Sequence, residues 1–405
     1  MQNANSIKLA KLLTGIIFSM LAIDLFLFGG GRVVEFGGVT FRMLIFAFCL
    51  LLSLILILIA GKMSKVMLTY SSAAMLLLII SSYISLLKGE FTFASLSPYL
   101  FFLLAITFSI YPIYLEKIFR RLLPPCSVFM SIVYILFIVM LLLGRVSILD
   151  VYKFIPESEV FLRGAEGLVY KGFVFIMIGA LYFIICKNKS FINLAFTFIC
   201  ITAIIFTLTR GFVLSLLVAI LLYYFNNKRT HVSIKLVMLC IGIAIPIYLL
   251  AVQPAFLFRA GSDSTRINDM LIFLDYLDQN PQNFIFGSGI SGFLGERPSV
   301  ENVYMDVILH FGLLGLSMLL AIYVKIHLDY KYIVKSIAPS YRKRIDWLYY
   351  SIFLLYLQST FNPYINNYIG GVFVVMVLFY FNATRISLAN FKTKIENNPE
   401  QLKLI

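Results

Sequence analysis

The chain has 405 residues, 61% of them hydrophobic and only 13% charged. Soluble domains carry about 25% charged residues, so a cytosolic or secreted enzyme, a coiled coil and a disordered tail are excluded and a polytopic membrane protein is indicated. The net charge of +14, from 33 basic and 19 acidic residues, does not point to nucleic acid, because membrane proteins concentrate Lys and Arg in cytoplasmic loops.

A membrane-spanning helix needs roughly 20 mostly apolar residues. Such runs fall near 9–28, 43–60, 66–87, 97–115, 122–143, 169–186, 191–209, 211–225, 234–253, 302–324, 347–364 and 368–384. They predict an all-α fold, one integral membrane domain over 1–405 with about twelve transmembrane helices. Lys8 and Lys11 precede the first run, but no convincing A-x-A site follows it, so it reads as a retained span rather than a signal peptide. With the N-terminus inside, most of the 33 basic residues fall on the cytoplasmic side, including Arg342-Lys343-Arg344 and the tail 385–405. Both termini are then cytoplasmic. Cys49, Cys126, Cys186, Cys200 and Cys240 lie in or beside apolar runs, without CxxC or a nearby His, which argues against a disulfide framework or a metal site.

This orientation leaves two sizeable external segments, about 144–168 and 254–301. The second, between spans nine and ten, is expected to hold a short amphipathic helix from about Thr265 to Leu277. Ile267, Met270, Leu271, Leu274 and Leu277 recur at helical spacing, opposite Asn268, Asp275 and Asp278. Asp263 or Ser264 could cap it, Pro281 would end it, and Gly287, Gly289, Gly292 and Gly295 follow. Such a helix would lie at the bilayer surface.

Charges near span ends are the first candidates for function, since charge is costly in lipid. Asp24, in the first span, reads as a packing polar group. Arg210, alone between two apolar runs, either snorkels to the headgroups or presents its planar fork to a phosphate. Arg259 and Arg266 lie in the long external segment. Arg266 either pairs with Asp263 or Asp269 or joins other arginines in facing a diphosphate. Phe286-Gly287-Ser288-Gly289 could cradle an oxyanion, a weak signal alone. Glu301 opens the next span with Asn302. It is either a helix-start acid or, if buried, a general base. Asp306 and His310 follow at one-turn spacing, as an interhelical polar link or a proton relay. Gln358, Asn362, Tyr364, Asn366, Asn367 and Tyr368 combine amides with rings, as a sugar site or a polar helix hairpin would.

Glu301-Asn302, nine residues, then Gly312-Leu313-Leu314-Gly315-Leu316 resembles the signature of the O-antigen ligase and O-antigen polymerase superfamily, which is His, then Asn, Ser or Gln, nine residues, then G-x-x-G-L/V. Thr209-Arg210-Gly211 resembles its S/T-R-G element, and Arg266 with Phe286–Gly289 resembles its long external loop. The motif match runs from about 195 to 325; the first half matches in topology only. The resemblance implies a GT-C-like membrane glycosyltransferase acting at the periplasmic face of the bacterial inner membrane. Its donor would be an undecaprenyl-pyrophosphate-linked oligosaccharide, with no nucleotide sugar, metal or other cofactor, and a chain-length regulator is left open as a partner. By position, Arg210 and Arg266 would hold the pyrophosphate, Arg259 would assist, and Glu301 would deprotonate the acceptor hydroxyl. Asn302, Gly287, Ser288, Gly289, Asn362, Asn366 and Asn367 are the expected substrate contacts. Glu301 stands where ligases typically have His, which favours a polymerase over a lipid A–core ligase. A lipid-linked oligosaccharide flippase is the non-enzyme alternative, disfavoured because few charges lie deep in the spans. A cell-wall polymerase of the shape–elongation–division type fits the local motifs less well.

Overall fold

Helices follow the apolar runs in the computed structural model, which describes residues 2–29, 35–36, 39–60, 64–153, 160–163, 167–186, 190–227, 232–233, 240, 260–292 and 300–397. In order they are α1 (Gln2–Phe28), α2 (Phe41–Ala60), α3 (Lys65–Leu87), α4 (Phe93–Leu96), a 3-10 stretch (Ser97–Leu103) leading into α5 (Leu104–Ile110), α6 (Pro112–Leu142), α7 (Ile148–Tyr152), α8 (Phe173–Ile185), α9 (Phe191–Phe206), α10 (Arg210–Asn226), α11 (Ala260–Gln279), α12 (Pro281–Phe286), α13 (Val303–Ser336), α14 (Pro339–Gln358) and α15 (Tyr368–Asn397). Two small antiparallel hairpins interrupt them. One pairs β1 (Glu35–Phe36) with β2 (Val39–Thr40), the other β3 (Val160–Arg163) with β4 (Gly167–Tyr170). The run at 234–253 lies outside the described residues, Cys240 excepted. Among the described residues, five helices (α1, α3, α6, α13 and α15) are long and apolar enough to cross a membrane, and shorter apolar helices accompany them. The chain is a multi-pass helical membrane protein.

The packing centre is α8. It is apolar on every side, and such a helix is stable only when surrounded. Phe173 to Leu181 are all buried, against α6, α9 and α14. Trp347 of α14 is fully buried and donates from its indole nitrogen to the Ile178 carbonyl at 3.2 Å, meeting the need of a ring with one polar handle. One hydrophobic cluster runs from Phe18 to Phe381.

Charged residues inside this cluster are paired. Asp24 of α1 lies 2.5 Å from Arg42 at the start of α2, both side chains under 10% exposed. Arg42 also donates to the Gly29 carbonyl and lies 5.1 Å from the Tyr368 ring. At the end carrying Arg342-Lys343-Arg344, three buried carboxylates tie helices together. Glu116 of α6 holds Arg120 at 3.1 Å and Arg344 of α14. Asp329 of α13 meets Lys325 and, at 3.1 Å, Arg385 of α15. Asp346 of α14 accepts from the Tyr330 hydroxyl at 2.9 Å and lies 3.4 Å from Arg342.

Removing one partner from a buried pair leaves an uncompensated charge, at a cost of about 3–5 kcal/mol. Arg42→Met should therefore lower the melting temperature in detergent strongly. Combining it with Asp24→Asn should recover most of the loss, and a double-mutant cycle reads the coupling. Additive effects would show that the pair does not hold α1 to α2.

Candidate active site

The site is organised by a break in α13. Gly312 has φ +65° and ψ −162°, outside helical geometry, within an otherwise continuous helix. The break frees carbonyls at a depth where water cannot serve them, so protein donors must. Leu309 O accepts from both the amide and the hydroxyl of Ser288, each at 2.7 Å, and His310 O accepts from the Ser81 hydroxyl of α3 at 2.9 Å. The backbone of 285–287 lies directly on that of 310–312. A methyl group on Gly312 would come 2.1 Å from Ile285 O, and one on Gly287 (φ +80°) 2.4 Å from His310 O. Two facing glycines make that approach possible.

The run Gly287-Ser288-Gly289 is thus a clamp. Two of its amides are engaged within the fold, Gly287 N donating to Asn283 O at 2.8 Å and Ser288 N to Leu309 O, and just after it Ile290 N donates to Ser81 O at 3.2 Å. On α3, Ser85 Oγ accepts from Ser291 N at 3.0 Å, and Lys88 donates to Ser288 O at 2.9 Å. The Gly287 and Ser288 amides, two of the donors expected to cradle an anion, face carbonyls of the chain.

Above the clamp, α11 runs from Ala260, earlier than the periodicity suggested, so Asp263 and Ser264 lie within the helix rather than capping it. Pro281 ends α11 and also opens α12, at its first position. The face of α11 that packs inward is built on Phe273, which meets Val300 and Leu309 with Tyr276 and Leu277 alongside. Ile267, Met270, Leu271 and Leu274 remain exposed, so the predicted apolar stripe faces away from the protein and is open to a bilayer surface. This docking brings Arg266 to Glu301: Nε lies 3.2 Å from Oε2, with the side chains 29% and 49% exposed. Arg266 is therefore paired with the residue proposed as base. Glu301 is not buried, so the burial that its role as a base called for in the sequence is absent here.

Below Glu301, Asn302 caps α13, its side-chain oxygen accepting from Tyr304 N at 2.9 Å and Met305 N at 3.3 Å. Asp306, one turn on, is buried. It accepts from Val300 N at 3.0 Å and from Asn366 Nδ2 at 2.6 Å, and its own carbonyl lies 2.8 Å from His310 Nδ1. This is a polar link between α13 and the loop before α15, with Asn366 as the partner the sequence did not name.

The start of α10, which carries Arg210, packs on the loop 359–367. The turn after α9 places Leu208 at φ +51°, a strained conformation for a leucine, and Thr209 then leads into α10 with Arg210 as its first residue. Arg210 is half-buried. Gly211 lies against the Phe361 ring, 3.1 Å from where its Cβ would be, and Phe212 faces Tyr364 at 6.5 Å. The same loop contacts α13, with Val303 N donating to Ser359 O at 3.0 Å and Asn366 bonded to Asp306. Asn367 caps α15 through Ile369 N at 2.9 Å and donates to Pro363 O. Asn362 lies in this loop, its amide nitrogen donating to Gln358 O at 3.1 Å. Arg266 and Glu301 are brought together, while Arg210 stands at the start of α10, beside Gly211 and Phe212, which pack on the loop that also contacts α13. The Asn302 and Asn367 side chains hold backbone amides, and Asn366 holds the Asp306 carboxylate. Arg259 lies outside the described residues.

No family model matches the chain. It is similar to an O-antigen polymerase of Shigella flexneri, with 26% identity over 390 residues that cover 93% of this chain and 97% of that one. The resemblance to the O-antigen polymerase family holds. It extends well beyond the motif region, since the first half of the chain takes part in the match. The Gly312-x-x-Gly315 element, so conspicuous in that resemblance, has a physical reason here in the break and clamp of α13.

A left-handed backbone costs an L-residue about 1–2 kcal/mol. Gly144→Ala, at φ +66° with open space around it, should cost about that much and no more. Gly312→Ala adds the collision with Ile285 O and should lose clearly more stability in a thermal melt. Equal losses would refute the clamp.

Proposed function

We propose that this chain is a polysaccharide polymerase that joins oligosaccharide repeat units carried on undecaprenyl pyrophosphate. The observation that carries this is the Arg266–Glu301 pair at 3.2 Å, at the external mouth of α13 in a chain resembling an O-antigen polymerase over nearly its full length. The finer plan is proposed with it: about twelve spans in a GT-C-like arrangement, both termini cytoplasmic, and a site facing the periplasm from the inner membrane. A chain-length regulator is the partner such a polymerase would take.

The mechanism is an inverting displacement. The donor's reducing-end sugar, on its lipid pyrophosphate, enters beside Arg266, whose charge moves from Glu301 to the phosphate oxygens. Arg210, at the start of α10, supports the same diphosphate, and a guanidinium fork matches two such oxygens. Glu301, released from its partner, takes the proton of an acceptor hydroxyl on the incoming unit. That oxygen bonds to the anomeric carbon, and the anomeric C–O bond to phosphate breaks, its electron pair leaving with lipid pyrophosphate. The leaving group carries its charge onto the arginines and needs no acid. The exposure of Glu301 suits a base that must meet a large sugar acceptor from solvent.

The test is a reconstituted reaction with a lipid-pyrophosphate-linked repeat unit, products resolved on a gel. The wild-type chain should give a regular ladder. Arg210→Ala and Arg266→Ala should each slow it by on the order of 100-fold or more, and Glu301→Gln should abolish it. A ladder that survives Glu301→Gln removes the base and keeps the polymerase. Transfer only to lipid A–core, with no ladder, makes the chain a ligase.

A further inference from the structure

Asp306 is 2% exposed, and the proposed reaction gives it no part. A carboxylate so deeply buried is stable only when its oxygens are met. Here each is met by a different segment. One oxygen, Oδ1, accepts from Val300 N at 3.0 Å, and Oδ2 accepts from Asn366 Nδ2 at 2.6 Å. The buried His310 ring lies one turn further in, its Nδ1 2.8 Å from the Asp306 carbonyl and 3.6 Å from Oδ1. The Asn366 amide is turned to serve the carboxylate. Its nitrogen meets Oδ2, while its own Oδ1 is left buried without a hydrogen-bond partner. Buried acceptors are rarely left unmet, and a charge-assisted bond is strong enough to outweigh that cost.

The two donors lead to different parts of the site. Val300 directly precedes Glu301, and its buried side chain packs with Phe273 of α11 and with Leu309. Fixing its amide therefore fixes the segment that carries Glu301 and the surface on which the helix of Arg266 rests. Asn366 belongs to the loop 359–367, which begins where Ser359 O accepts from Val303 N at 3.0 Å. That loop supports the first turn of α10: Gly211 lies against the Phe361 ring, and Phe212 faces Tyr364 at 6.5 Å. Arg210 is the first residue of this turn. A single side chain on α13 is thus bonded to both segments.

We propose that Asp306 is a positioning residue, a latch that holds Val300 N with one oxygen and Asn366 with the other and so sets the Glu301 segment against the loop beneath Arg210. It meets no substrate and moves no proton. The proposal rests on the polymerase reading for the roles of Glu301 and Arg210. An inverting displacement needs the base and the leaving diphosphate on opposite sides of the anomeric carbon. Their separation must then be held closely, since a misplacement of about 1 Å costs on the order of 100-fold in rate.

The test compares, in full chains in nanodiscs, Asn366→Leu with the exchanged pair Asp306→Asn plus Asn366→Asp. The single change removes one arm of the latch and leaves the Val300 bond. In the exchanged pair the new amide still accepts from Val300 N and donates to the carboxylate placed at 366, so both arms remain. Both readouts are taken well below each variant's melting temperature, and Asn366→Ser stands in where Asn366→Leu does not fold. Hydrogen exchange should speed up over 359–367 in Asn366→Leu, stay slow at Val300, and return to the wild-type pattern in the exchanged pair. Ladder formation should slow by about tenfold in Asn366→Leu and recover in the exchanged pair. Arg210→Ala should cost about tenfold less in the Asn366→Leu background than in the wild type, because the two changes remove one coupled function. Losses that simply multiply mark a merely structural effect and overturn the positioning role. Unchanged exchange over 359–367 overturns the latch whatever the ladder shows, as does an exchanged pair that regains protection without regaining the ladder. The expected exchange pattern in a chain that forms no ladder keeps the latch and overturns the polymerase.

Discussion

The half of the molecule that carries the Arg266–Glu301 pair depends on two main-chain carbonyls. When α13 breaks at Gly312, Leu309 O and His310 O lose the helical donors that would have served them, inside a protein with few polar groups to spare. Ser288 and Ser81 supply the replacements. Those bonds do more than repay the break. They fix the segment after α12 between α13 and α3, and so set where α11 can lie. Phe273 of α11 packs onto Leu309 and Val300, next to the break and next to Glu301. The meeting of Arg266 with Glu301 is thus a remote consequence of a glycine whose left-handed backbone no other residue adopts cheaply.

Ion pairs in this protein fall into two kinds that do different work. Asp24–Arg42 and the carboxylates Glu116, Asp329 and Asp346 are buried and bridge helices. Such pairs fix which helices meet, and they resist exchange because either ion alone would be stranded. The Arg266–Glu301 pair is half open and therefore weakly held. An incoming dianion can displace the carboxylate at little cost, which the proposed mechanism requires. A buried pair at the same place would hold the arginine away from its ligand.

Much of this was legible in the sequence where the signal was local. The apolar runs gave the helices, and Thr209-Arg210-Gly211 marked the division between α9 and α10, because a charged residue beside glycine cannot continue a buried span cheaply. The break in α13 was not legible: Gly312 and Gly315 sit in an apolar run that reads as helix from end to end, and the donors that stabilise a break come from Ser81 and Ser288, far away in sequence. The same distance hid Asp24–Arg42 and Asp306–Asn366. The close approach at Gly287 was hidden for a related reason, since glycines that admit an anion and glycines that admit another backbone look alike until the second segment is seen. The stripe on α11 was real but pointed outward, because helical periodicity gives a face without saying what covers it.

A lipid-linked sugar has to be handled by two solvents at once, and α13 meets that demand along its own axis. Its mouth is exposed and charged at Glu301. One turn in, Asp306, His310 and Asn366 form a polar layer in which Asp306 bonds to both others and Asn366 Oδ1 is left without a partner. Beyond the break its cavity-lining residues are apolar down to Ile322. The order cannot be permuted. A charge placed below the polar layer would sit in hydrocarbon unsolvated, and an apolar mouth would offer nothing to a diphosphate. The polar layer also separates the two environments, since Asp306 is held by Val300 N and Asn366 and has little reason to draw water downward. In the proposed mechanism the helix start would set the depth of the pyrophosphate, and with it the position of the anomeric carbon relative to Glu301.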